Sequence, residues 1–128
     1  VVGPTAVADY NNGVDIGGTS AATANTISNF GTTGTFSSYN AVSGTVFGIL
    51  VRYSTTINVS YNSITSSSGG VSTAGTSIRG IYVPGFITAP TGTYTNTINN
   101  NTLALTHGFT SGAVQGISVE ALTGTATA

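Results

Sequence analysis

Residues 78–83 read Ile78-Arg79-Gly80-Ile81-Tyr82-Val83, and the phrase glycine, aliphatic, any residue, aliphatic returns elsewhere in the chain. Val46-Phe47-Gly48-Ile49-Leu50-Val51 and Val114-Gln115-Gly116-Ile117-Ser118-Val119 align with it without a gap, and Asn11-Asn12-Gly13-Val14-Asp15-Ile16 matches after its glycine. The glycines recur at roughly 32 to 36 residues, inside the range of stacked-repeat architectures. A second phrase falls between them, always in the same order: Asn25-Thr26-Ile27, Asn62-Ser63-Ile64 and Asn101-Thr102-Leu103. Two phrases in fixed order at one loose period define a repeating unit whose neighbours pack on each other.

The unit reads as strand. Val, Ile, Thr and Tyr favour a pleated surface, and Ile57, Val59 and Tyr61 alternate with a period of two. Glycine and serine clusters, such as residues 66–70 and 32–35, break anything longer. Before Gly80 the apolar residue stands two places away, at Ile78; after it, Ile81 and Val83 stand one and three places away. A strand that changes its inward parity must bend or bulge, so Gly13, Gly48, Gly80 and Gly116 are expected at corners. Asn25, Asn62 and Asn101 are expected at a second corner, since asparagine tolerates the left-handed conformation, and stacked asparagines can form amide ladders. The expected fold class is all-β, a parallel β-helix (β-solenoid) of about four coils with one G-I-x-V strand per coil, in a single domain over residues 1–128. Its core ladder is Val14, Ile16, Ile49, Val51, Ile81, Val83, Ile117 and Val119, with Asp15, Leu50, Tyr82 and Ser118 outward. Loops are expected at 28–45, 65–76, 84–95 and 106–112.

These phrases resemble the right-handed parallel β-helix repeats of large secreted bacterial surface proteins, whose coils read G-I-x-V, a polar turn, then an apolar alternation ending in N-x-I. GILV with NVSYNSI and GIYV with TINNNTL carry the resemblance, which spans most of residues 11–119 and departs at Asn11 and at the small Ala22 and Ala24. It implies the coil architecture and a place at a cell surface.

Composition narrows the function. Only 4% of residues are charged, against roughly 25% in an average soluble domain, and lysine is absent. A 39% hydrophobic content is too high for a disordered chain, and the longest apolar run, Val46 to Val51, is far short of the ~20 residues of a spanning helix. With Arg52 and Arg79 as its fixed cations and a net charge of −1, the chain lacks the basic stripe that neutralises a phosphate backbone, so no nucleic-acid partner is expected. Absence of cysteine removes disulfides and thiolate metal sites. The chain opens at Val1 without a charged n-region or an apolar h-region, so any leader is expected to have been removed or to lie outside this sequence.

The remaining ionisable inventory is Asp9, Asp15, Glu120, Arg52, Arg79 and His107. Arg52 and Glu120 share one repeat position but lie two coils apart, about 10 Å, and neither paired carboxylates nor a metal-ligand set is legible. No catalytic residue, metal or cofactor is expected, and the chain is not read as an enzyme. Leu50 and Tyr82 are expected side by side as an outer-face contact patch, with Phe86 and Tyr94 near in sequence.

The repeat runs to Val119 with no polar cap, whereas solenoid ends normally carry one and sheet edges are normally guarded by lysine or proline. Two solutions are open: an excerpt from a longer solenoid, or copies stacked end to end, residues 1–8 of one completing the last coil of the next. The expected function is a structural subunit of an extracellular or cell-surface filament or matrix, with copies of itself as partner. The alternative is an adhesin segment binding glycans, and a weaker one is a fragment of a polysaccharide-degrading β-helix enzyme.

Overall fold

A computed structural model describes residues 11–31, 45–66, 77–84, 94–107 and 112–120. The regular structure of the described residues is almost all strand: β1 (Asn11–Asn12), β2 (Asp15–Gly17), β3 (Thr26–Phe30), β4 (Val46–Leu50), β5 (Ser54–Thr55), β6 (Asn58–Ser60), β7 (Ser63–Ser66), β8 (Ile78–Val83), β9 (Thr97–Asn99), β10 (Thr102–Ala104) and β11 (Val114–Val119). One 3₁₀ turn, Ala21–Thr23, interrupts them.

The strands form four separate sheets, with orders β1-β5, β2-β6-β9, β3-β7-β10 and β4-β8-β11. Every pairing is parallel. From β4 onward the chain visits the glycine-bearing sheet, then the others in turn, then returns to the first at β8 and again at β11. Each strand therefore pairs with the one a lap away, and almost all of its ladder bonds are non-local.

Side chains from three sheets meet in one core. Ile49, Val51, Ile81 and Val83 come from the glycine-bearing strands and their continuation, Ile57 and Val59 from β6 and the residue before it, and Ile64 from β7. Val14, Ile16, Ile27, Ile98 and Leu103 pack on this cluster from the flanking laps. Val46 and Ile78 form a second cluster with Phe30 and Leu105. The parity change at the glycine now has a spatial meaning: residues two before it enter the smaller cluster, and residues one and three after it enter the larger.

Five expectations require correction. Asn11-Asn12-Gly13-Val14-Asp15-Ile16 does not stack on the G-I-x-V strands. Asn11 pairs Ser54, Asp15 pairs Asn58, and Ile16 pairs Val59, which pairs Ile98. Gly13 thus lies level with Thr56, and both residues are left-handed, at φ 79° and 54°. The shared glycine serves a turn there, so the resemblance after it misleads. The G-I-x-V phrase occupies three described strands, which share one sheet separate from the other three, rather than one per coil in a closed stack of four. Gly48, Gly80 and Gly116 are no corners either, since each lies inside its strand. A Cβ on Gly48 would come within 2.7 Å of both the Gly80 carbonyl oxygen and Ile64 Cγ2, and one on Gly80 within 2.6 Å of the Gly116 oxygen. Close approach of the next strand's backbone, not a bend, demands the glycine.

Asn25, Asn62 and Asn101 each stand one residue before a strand, at β3, β7 and β10. The left-handed residues at that corner are their predecessors, Tyr61 at φ 58° and Asn100 at φ 51°. Leu50, expected outward, is only 9% exposed. The loops at 28–45, 65–76, 84–95 and 106–112 fall largely outside the described residues, although Phe30 and Ser66 extend strands into two of them. Residues 1–8, Asp9 and Phe86 also lie outside.

Ile81 is fully buried, whereas Ile117, its register partner one lap on, is 49% exposed. Ile81→Ala should lower unfolding free energy by about 2–5 kcal/mol in chemical denaturation, and Ile117→Ala in the dispersed chain by well under half as much.

Candidate functional site

The ends of the ladders differ from their middles in one measurable way. In β8, Ile78 and Ile81 are fully buried and Val83 is 5% exposed. Their partners in β11, Val114, Ile117 and Val119, are 43%, 49% and 54% exposed. These are the exposed large hydrophobic side chains among the described residues. Among the described residues no strand of the other sheets lies level with β11: β9 and β10 belong to the lap of β8, and no described strand follows β11. Ile117 and Val119 therefore keep the register of the core ladder without its burial.

An amide ladder runs parallel to the strand ladders. Asn25 Nδ2 donates to Asn62 Oδ1 at 3.1 Å, and Asn62 Nδ2 donates to Asn101 Oδ1 at 2.9 Å. Asn62 is buried, and its amide also reaches the carbonyls of Ile16 and Ser60, at 3.0 and 3.2 Å. Asn101 Oδ1 accepts a second bond from the Asn62 backbone N–H, and Asn101 Nδ2 donates to the Val59 carbonyl at 2.8 Å. The asparagine thus links carbonyls at the strand ends to the amide of the next asparagine, a task that needs a side chain with both donors and an acceptor.

The outer face of the glycine-bearing sheet holds a third constellation. Leu50 and Tyr82 are register partners. The ring of Phe47 stacks on that of Tyr82 with centroids 5.3 Å apart, and the Arg79 guanidinium carbon stands 4.1 Å from the Tyr82 ring centre. Tyr82 donates its hydroxyl hydrogen to Glu120 Oε1, and Arg79 Nη1 lies 3.7 Å from the same oxygen. Arg79 and Glu120 are thus brought together from adjacent laps, whereas the sequence leaves Arg79 scattered and matches Glu120 to Arg52. Arg52 instead stands 5.2 Å from the Tyr53 ring centre, and Asp15 accepts from Asn58 Nδ2 at 2.8 Å. Sequence reading missed Phe47. The signal for it is its place one before the glycine, the position Arg79 and Gln115 share.

Burial, then the hydrogen bond to Glu120, holds the Tyr82 phenol above its ordinary value of 10.0, and that carboxylate's charge adds to the rise against the opposing effect of Arg79. With Phe47 and Arg79 already against its ring, Tyr82 is an internal brace of this surface more than a platform for a sugar. An open depression of about 180 Å³ lies between the Ala21–Thr23 turn, Tyr61 and Asn100. His107 is exposed, and among the described residues no group of three or more His, Cys, Asp and Glu is placed to hold a metal ion. Among the same residues no helix is long and apolar enough to cross a membrane.

Comparison of the chain with protein-family models, with curated proteins and with solved structures gives no match. The reading of the site therefore stands on its geometry.

Two outcomes follow. Asn62→Leu removes both links of the ladder and leaves Asn25 and Asn101 without their amide partner, so it should destabilise by roughly 2–4 kcal/mol in denaturant titration, while Asn25→Ala, at the exposed end, should cost under about 1 kcal/mol. The raised Tyr82 value favours the neutral phenol in the folded chain. Its stabilising effect is complete below the unfolded value near 10 and is lost as pH rises through the folded one. Thermal midpoints followed from about pH 8 to about pH 11 should fall more steeply for the wild type than for Tyr82→Phe.

Proposed function

We propose that the chain is a parallel β-helix, a β-solenoid, that serves as a structural, self-stacking element of an extracellular filament or surface matrix. The observation that carries this reading is the exposure of Val114, Ile117 and Val119 in a strand whose equivalents one lap earlier are sealed. An apolar stripe on an unguarded parallel edge is a template for another strand. The order in which the chain revisits its sheets supports the coil architecture, because parallel strands a lap apart are what one turn of such a helix supplies.

Charge supports the structural role. With 4% charged residues, little like-charge repulsion opposes close association of copies, and Thr, Ser, Asn and Gly give a surface of neutral hydrogen-bonding groups. An extracellular setting fits such a neutral coat and the resemblance to secreted repeat proteins.

Negative-stain images of the concentrated protein should show unbranched filaments, and their X-ray diffraction should carry a reflection at about 4.8 Å along the fibre axis, the spacing of stacked strands. Uniform single particles at every concentration, with no such reflection, would overturn the proposal.

A further inference from the structure

The ladders are polar, and their two ends are complementary. In the amide ladder every link donates in one direction, from Asn25 to Asn62 to Asn101. Asn25 Oδ1 accepts no hydrogen bond among the described residues, so the Asn25 end offers an acceptor. Asn101 Nδ2 makes one bond, to the Val59 carbonyl, and an amide nitrogen carries two hydrogens, so the Asn101 end offers a donor.

The glycines have the same polarity. Each of the first two is crowded by the carbonyl of the following glycine in the ladder, at 2.7 Å for Gly48 and 2.6 Å for Gly80, and by an aliphatic side chain of its own lap, Ile64 and Leu103 respectively. A Cβ on Gly116 would meet nothing within 4 Å. Gly116 thus meets the requirement that the next strand imposes on Gly48 and Gly80, but within the described residues it has no next strand. The aliphatic residue that shares the register of Ile64 and Leu103 and lies at the far end of their sheet is Ile27.

One end of the described chain supplies β1, β2 and β3 but no glycine-bearing strand beside them, and the other supplies glycine-bearing β11 but no strand of the other sheets. Each is the part of a lap that the other lacks.

Resting on the self-stacking reading, we infer that the occupant of the β11 end is a second copy of this chain, docked head to tail in one register. β2 and β3 of the second copy lie on β9 and β10, its Ile27 fills the space at Gly116, its Asn25 accepts from Asn101 Nδ2, and its β4 lies along β11 with Gly48 opposite Gly116. The contact completes one lap and covers Val114, Ile117 and Val119. Because the two ends are unlike, the contact is heterologous and does not close, so growth is linear.

Gly116→Val tests this directly, since the space around Gly116 admits the side chain without disturbing the chain's own contacts. Val119→Lys, at a 54% exposed position, blocks the same end without altering the strand backbone. Sedimentation velocity should give wild-type protein as oligomers that lengthen with concentration, and both variants as a 12.7 kDa monomer with unchanged circular dichroism and melting. Either variant added to wild type at about one part in ten should shorten the oligomers, because its Asn25 end still adds to a growing chain. Two results overturn the register and polarity while leaving self-stacking intact: both variants assembling as the wild type does, or both halting at discrete dimers, the mark of like ends pairing. A wild type that stays monomeric at every concentration overturns this inference and the self-stacking reading together, and leaves another molecule as the cover of β11.

Discussion

At Gly48 and Gly80 the backbone of the next lap passes so close that a single methyl group would collide with a carbonyl oxygen. That approach is the constraint from which the rest of the molecule follows. It lets an aliphatic side chain from the sheet across the core, Ile64 or Leu103, reach the strand at the glycine, and it sets the registers Ile49 with Ile81 and Ile81 with Ile117. Because inward residues alternate along a strand, a one-residue slip would expose the aliphatic set, so the glycine and the core enforce the same register. The cost is dependence on a neighbour, for a lap has no core of its own and is sealed only when another lap lies on it.

The amide ladder performs the equivalent task at the corner, where strand pairing cannot. Between β6 and β7 the chain turns through left-handed Tyr61, and the carbonyls of Ile16, Val59 and Ser60 accept from the amides of Asn62 and Asn101 there. Buried carbonyls without donors are costly, and one asparagine per lap supplies them while linking to the next. Hydrophobic and polar ladders therefore run along the same axis and stop at the same ends.

Much of this was legible in the residues. Gly48, Gly80 and Gly116 mark one sheet, Asn25, Asn62 and Asn101 mark another boundary, and both register sets hold in the structure. Legibility failed where one residue type answers two different demands. Gly13 answers a demand for a left-handed turn, which Thr56 meets one lap on, and a glycine followed by Val14 and Ile16 is the same string whichever demand it serves. Asn62 stands beside the corner, but the left-handed backbone belongs to Tyr61, a residue with no intrinsic preference for it. The grouping of Phe47, Arg79, Tyr82 and Glu120 was illegible for another reason: it joins residues of three laps, and side-chain direction on the outer face is set by stacking and ion pairing instead of by period.

The central claim is that a lap is sealed only by another lap, which makes the exposed edge of β11 the proposed docking surface. Backbone hydrogen exchange at low and at high protein concentration tests it most directly. Protection should rise at high concentration in β11 at one end and in β2 and β3 at the other, and stay constant in β7, which is flanked by strands on both sides at all times. Unchanged exchange in β11 while the protein associates, with new protection confined to the Tyr82 face, would contradict the account.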